Sequence, residues 1–164
     1  MSKTGNFRSI IREIARTRGS PFEVFNDFVR ISACALAAGT REDEYLEIAK
    51  KYPKEELNGI SKAFALLVSE MEAHPFTDVL GPYHIEIGSK FSRDLRGEFY
   101  TPKPVGDAMA RMMVNVPKVV EEGRPVTIND PASGSGGLIL SLAAEFARAK
   151  AVDLMRVTCQ DISR

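Results

Sequence analysis

Along the first half of the chain, apolar positions recur at helical rather than strand spacing. From Phe7 to Arg18, Phe7, Ile10, Ile11 and Ile14 form one stripe, while Arg8, Arg12 and Arg16 recur every four residues on another. Ser20-Pro21-Phe22-Glu23 carries the start signal of a second helix: a capping serine, proline at the first helical position and glutamate three residues after the cap. That helix is predicted to run to Ala38, with Gly39 as its stop. Thr40 is expected to cap a charged helix through about Lys51, and Pro53 to begin another that continues to about Ala73. In the last of these, Leu57, Ile60, Phe64, Leu67, Val68 and Met71 keep helical spacing. Four helices with short connections predict a small bundle.

The pattern breaks between His74 and Thr101. Pro75, Gly81, Pro82, Gly88 and Gly97 punctuate this stretch and leave room only for short helices, such as Ile85 to Leu95. A further helix is expected from Pro104 to about Val116, where Pro117 ends or kinks it. Val126-Thr127-Ile128 then reads as a short strand and runs into Asn129-Asp130-Pro131-Ala132-Ser133-Gly134-Ser135-Gly136-Gly137. An apolar helix follows, Leu138 to about Ala149, and a second strand, Met155 to Gln160, ends at Asp161. Strand, glycine turn, helix, strand and acid make a βαβ unit of the parallel α/β type. The expected organisation is therefore an α-helical N-terminal region, about residues 1–95, followed over residues 96–164 by the start of an α/β domain.

Composition narrows the class. A chain of 164 residues with 44% apolar side chains is long enough to bury a real core. No apolar run approaches the roughly 18 residues of a membrane-spanning helix, so no membrane association is expected. The N-terminus, MSKTGNFRSI, lacks the apolar stretch of a secretory signal. Cys34 and Cys159 read as buried, widely spaced thiols rather than a disulfide framework or metal site, and the expected setting is a reducing cytoplasm. With 22 basic and 22 acidic residues there is no overall basic excess to argue for nucleic acid. Charge is uneven, however: residues 1–20 hold Lys3, Arg8, Arg12, Arg16 and Arg18 against Glu13 alone.

The glycine turn is the most informative segment. Gly134, Gly136 and Gly137 allow a sharp turn after the strand and close approach of a ligand. The helix N-terminus that follows favours an anionic group, and an acid at the tip of the next strand can accept hydrogen bonds from ribose hydroxyls. Asp161 occupies that place, with Asp153 as a weaker rival. Other glycine motifs fail on spacing. A dinucleotide fingerprint from Gly134 requires glycine where Ile139 stands, and a phosphate loop requires lysine and a hydroxyl residue where Leu138 and Ile139 stand. A nucleophile elbow is excluded because Gly134 and Ser133 precede Ser135.

Asp130-Pro131-Ala132-Ser133-Gly134-Ser135-Gly136-Gly137 resembles the D-P-A-x-G-S-G-G signature of N6-adenine DNA methyltransferases, above all the modification subunits of type I restriction systems. Gly97-Glu98-Phe99-Tyr100-Thr101-Pro102 resembles the G-x-F-Y-T-P signature that precedes it in that family, and Asp78-Val79-Leu80-Gly81 loosely matches the family's linker. The order of the two signatures is that of the γ arrangement of amino-methyltransferases. The resemblance implies a Rossmann-like domain and S-adenosylmethionine as cofactor. Phe99, Tyr100, Thr101 and Pro102 would wall the methionine part, and Asp130 would receive its ammonium. Ala132, Gly134, Ser135 and Gly136 would supply close backbone approach, and Asp161 would hold the ribose. Ser133 departs from the cysteine or threonine common there. No metal site is implied.

The family's catalytic signature, asparagine or aspartate followed by two prolines and an aromatic residue, is absent: no two of the nine prolines are adjacent. Asp130-Pro131 is followed by Ala132 and Ser133, which cannot stack on a flipped base. The chain also stops three residues after Asp161, where such a domain needs more strands. It therefore reads as the N-terminal part of an adenine-specific DNA methyltransferase, or a degenerate form, inactive by itself. In the complete enzyme the partners would be double-stranded DNA and either a specificity subunit or further copies of the chain. The rival reading is a non-catalytic module that binds the cofactor or a partner. His74 reads as a helix-end cation, His84 as no ligand, and the Arg8/Arg12/Arg16 stripe as a solvated face.

Overall fold

The computed structural model describes residues 5–88 and 101–161. It forms two compact units, Met1–Ala73 with Tyr83–Ser89, and His74–Pro82 with Lys90–Arg164. No described helix is long and apolar enough to cross a membrane.

The first unit is helical. Helices α1 (Phe7–Arg18), α2 (Pro21–Leu36), α3 (Glu42–Ala49) and α4 (Lys54–Ala73) follow the apolar periodicity, joined by the part of α5 (Leu80–Ile87) from Tyr83 onward. Asn6 caps α1 by accepting from the Ser9 N–H, and Ser20 caps α2 by accepting from the Glu23 N–H. The apolar stripe of α1 is buried at Phe7, Ile11 and Ile14. Phe7 stacks on Phe28 at 6.0 Å and meets the edge of Tyr83 at 5.7 Å, and Phe25 meets Tyr83 at 5.2 Å. The Tyr83 hydroxyl donates to the Arg8 carbonyl, which satisfies the polar end of a ring otherwise sunk in the core.

Three local expectations are corrected here. Helix α2 stops at Leu36, short of Ala38, because Ala38 and Gly39 both take positive φ (48° and 85°). Thr40 does not cap α3. Its hydroxyl donates to the Ala37 carbonyl and closes the end of α2, while α3 starts at Glu42 with Glu42, Asp43 and Glu44 against the positive end of its dipole. The arginine stripe is only partly a solvated face. Arg8 forks onto Glu70 and Arg12 pairs with Glu86, leaving Arg16 exposed.

The second unit contains the start of α5, then α6 (Lys103–Met113), α7 (Val116–Glu122), β1 (Val126–Asp130), α8 (Gly137–Arg148), a 3-10 turn (Val152–Leu154) and β2 (Met155–Cys159). Pro117 neither ends nor kinks the helix before it. Helix α6 has stopped at Met113, and Pro117 sits in the first turn of α7, where its missing N–H costs nothing. Strands β1 and β2 pair in parallel with Val126 opposite Met155 and Asp130 opposite Cys159, and α8 makes the crossover between them. Ala110, Val116, Ile128, Leu142, Phe146 and Ala151 form the core. Helix α6 lies close on α8: a Cβ on Gly106 would stand 3.0 Å from the Ser141 hydroxyl. Cys34 is buried as expected, but Cys159 is exposed, as the end residue of β2, a strand exposed from Arg156 onward.

Candidate functional site

Parallel pairing brings the C-terminal ends of β1 and β2 side by side, and the glycine turn crosses between them. The Gln160 N–H donates to the Asp130 carbonyl at 2.9 Å, extending the ladder one step past the strands. The Ser133 N–H donates back to the Gln160 carbonyl at 3.0 Å, and its hydroxyl reaches the same oxygen at 3.3 Å. The next N–H, of Gly134, donates to Oδ2 of Asp161 at 2.8 Å. Behind it, the Asp130 carboxylate accepts the Ala132 N–H at 3.2 Å, and the Gly136 N–H closes the turn onto the Ser133 carbonyl at 2.8 Å.

Two of the glycines are required by this path. Gly134 has φ 53° and Gly136 φ 83°, a region where L side chains are strained. Gly136 is the residue before α8, and no side chain caps that helix start. The N–H groups of a first helical turn, which have no partners within the helix, are thus offered beside the turn.

The residues expected at the site fall into two groups. Asp130, Ala132, Gly134, Ser135, Gly136 and Asp161 lie together at the strand ends, with Ala132 and Gly134 exposed and Asp130 and Asp161 half-buried. Thr101 and Pro102 stand at the start of α6, where the Pro102 carbonyl accepts the Val105 and Gly106 N–H groups. The Thr101 carbonyl lies 3.9 Å from where a Cβ on Gly137 would stand, so this end of the earlier motif meets the start of α8. Phe99 and Tyr100 lie outside the described residues. Asp153 belongs to the 3-10 turn before β2, at the opposite end of the strand from Asp161.

Helix α6 is anchored to α8 by polar contacts. The Ser141 hydroxyl donates to Asp107 at 2.8 Å, and Lys103 donates to both oxygens of the same carboxylate at 2.9 and 3.1 Å. Lys103, with help from Ser141, holds the Asp107 carboxyl below its ordinary range. Arg148 and Arg111 do the same for Glu145 on α8.

Asp78 is the residue of this cluster that motif reading passes over. Its Oδ1 accepts the Leu80 and Gly81 N–H groups at 3.1 and 2.7 Å, capping α5, while its Oδ2 accepts the Ser135 hydroxyl in a short hydrogen bond. The signal lies in the sequence, since an aspartate just before a short apolar helix is a common cap; the Asp78-Val79-Leu80-Gly81 linker match does not disclose it.

Backbone donors line a tight turn, and the carboxylates of Asp130 and Asp161 flank it, accepting the Ala132 and Gly134 N–H groups. Such a donor and acceptor set fits a zwitterionic amino acid joined to a ribose. Among the described residues no group of acids, histidines and cysteines is arranged to hold a metal ion.

The N-6 DNA methylase family model matches residues 78–161, just over half of the chain. The chain belongs to this family, and is thus of a DNA methyltransferase kind. Its matched stretch begins at Asp78 and ends at Asp161, the two carboxylates that the turn residues Ser135 and Gly134 hold. Comparison with curated proteins and with solved structures returned no match.

Proposed function

We propose that this chain is the cofactor-binding opening of an adenine-specific DNA methyltransferase that uses S-adenosylmethionine, of the type I modification-subunit kind. The observation that carries the reading is the Gly134 N–H held by the Asp161 carboxylate at the tips of two parallel strands. It sets a glycine turn, a helix start and an acid in the relation a nucleoside-linked ligand needs. Family membership supports it independently.

In this reading Asp130 takes the methionine ammonium, while the turn from Ala132 to Gly136 admits the ligand against bare backbone. Asp161 accepts from the ribose hydroxyls, and Phe99, Tyr100, Thr101 and Pro102 close the methionine side. A carboxylate beside an ammonium and N–H groups beside a carboxylate are charge-assisted contacts, the stronger kind. The cofactor supplies an activated methyl group on a sulfonium, so the chain's task is orientation and exclusion of water. The β1–α8–β2 unit is the start of a larger Rossmann-like parallel sheet, because two strands leave edges for further pairing.

The step on adenine requires an aromatic residue to stack on a flipped base and polar groups to hold its amino group. No pair of adjacent prolines exists in this chain to form the family's N-P-P-aromatic signature. In this reading the chain's part is to hold the cofactor, the adenine step draws on an N-P-P-aromatic segment that this sequence does not contain, and double-stranded DNA with a specificity subunit or further copies of the chain are the partners. The second reading, a non-catalytic binding module, rests on the same missing signature.

Photo-crosslinking with tritiated S-adenosylmethionine tests the proposal. Label on peptides containing residues 130–136 or 161, displaced by unlabelled cofactor, is the expected result. Label spread over the helical residues 5–73, or none that competes, would overturn it.

A further inference from the structure

We infer that Asp78 is a positioning residue for the glycine turn: it fixes Ser135, and through it the backbone that receives the cofactor, to the first turn of α5. The inference rests on the cofactor reading above for its purpose, but its geometry stands apart from it. One carboxylate does two tasks. Oδ1 caps α5 through the Leu80 and Gly81 N–H groups, and Oδ2 accepts the Ser135 hydroxyl 57 residues further along the chain. The two amides converge on Oδ1 and hold it at the helix start. Oδ2, on the same carboxyl carbon, is left to accept from Ser135 and so ties where Ser135 sits to the cap.

Gly81 completes the lock. A Cβ there would stand 2.2 Å from Oδ2 of Asp78 and 2.8 Å from the Ser135 hydroxyl. Any other residue at 81 must push one of them away. The glycine is needed for the space beside it, since its φ is not in the left-handed region. Ser135 lies between Gly134 and Gly136, both in that region, so it is the residue through which a side chain can steady a turn that its neighbours make permissive. The Gly134 N–H is tied to Asp161 on one side of Ser135, and Asp78 ties the other. Without Asp78 the turn keeps its anchor to β2 and loses its anchor to α5.

The test is amide hydrogen exchange of the full chain, with calorimetric titration of S-adenosylmethionine in parallel. Ser135→Ala removes the hydroxyl and leaves the cap, while Asp78→Ala removes both. Asp78→Asn keeps an oxygen for the two amides and offers an N–H to Ser135. Losing a hydrogen bond to a charged group predicts exchange faster by about tenfold at residues 134–137 in Ser135→Ala and Asp78→Ala, with no further gain in the double variant. Asp78→Asn restores near-normal exchange, and Gly81→Ala behaves like Ser135→Ala. Cofactor affinity falls by a similar factor in the same variants. Unchanged exchange in Ser135→Ala, or additive effects in the double variant, overturns the positioning role. If the unsubstituted chain binds no cofactor but the exchange pattern appears, the positioning role stands and the cofactor reading falls.

Discussion

Oδ2 of Asp161 accepts the main-chain N–H of Gly134 at 2.8 Å across 27 residues of sequence. The contact exists because parallel pairing sets Asp130 opposite Cys159, which leaves the turn after β1 level with the acid after β2. A one-residue slip of register would carry Asp161 away from the turn and reverse every side chain of the strand.

Asp161→Ala is therefore expected to free the Gly134 amide. Exchange at Gly134 should quicken by about tenfold or more, as for loss of a hydrogen bond to a charged acceptor. Asp161→Asn, which keeps an oxygen, should lie between. Peptide-resolved exchange measures it, and an unmoved Gly134 would show that the turn is held by its other contacts without Asp161.

Gly136→Ala isolates backbone strain from crowding. Gly136 has φ 83°, yet nothing lies within 4 Å of where its Cβ would stand. The expected cost is about 1–2 kcal/mol, the left-handed penalty of an L residue. Denaturant midpoints of the second unit, followed by exchange of α8 amides, give the value. A neutral substitution would mean that the turn adopts another path.

Phe146→Ala should be far more damaging. Phe146 of α8 is fully buried in the core with Leu142 and Ile128, and truncating such a ring costs about 3–5 kcal/mol. Val157→Thr, on an exposed edge position, should stay within about 0.5 kcal/mol. Equal effects at the two positions would contradict the core described here.

Acid sensitivity has a direction. Lys103 and Ser141 hold the Asp107 carboxyl below the ordinary 3.8 or so, with Arg111 adding to the pull. A lowered folded value means that the contact is fully in force above the unfolded value and lost as pH falls through the folded one. Carboxyl titration by NMR should find Asp107 depressed, and Ser141→Ala should move it back up. A value at or above the ordinary one would refute the contact.

Much of this fold is visible in the sequence because its signals are local. Apolar spacing places α1, the Ser20 cap places α2, and the β-branched run before the glycines places β1. The errors lie where a residue has two local uses. Thr40 can cap forwards or close backwards, and the positive φ of Ala38 and Gly39 decides for the second. Pro117 can end a helix or open one, and the Asn115 cap decides for the second. Arg8 and Arg12 read as solvated because their partners, Glu70 and Glu86, are 62 and 74 residues away. Asp130 and Asp161 could be nominated from a motif and a strand end. The link from Asp78 to Ser135 could not, since it spans 57 residues and depends on how the second unit folds the segment at Asp78 back beside the turn.

The most direct test of the account is calorimetric titration of the intact chain with S-adenosylmethionine, beside Asp130→Ala and Asp161→Ala. The account predicts one-to-one binding, weakened about tenfold or more by each substitution, as expected when a charged partner is lost. A chain that is helical by circular dichroism yet binds no cofactor, or binds it equally well without either carboxylate, would contradict it.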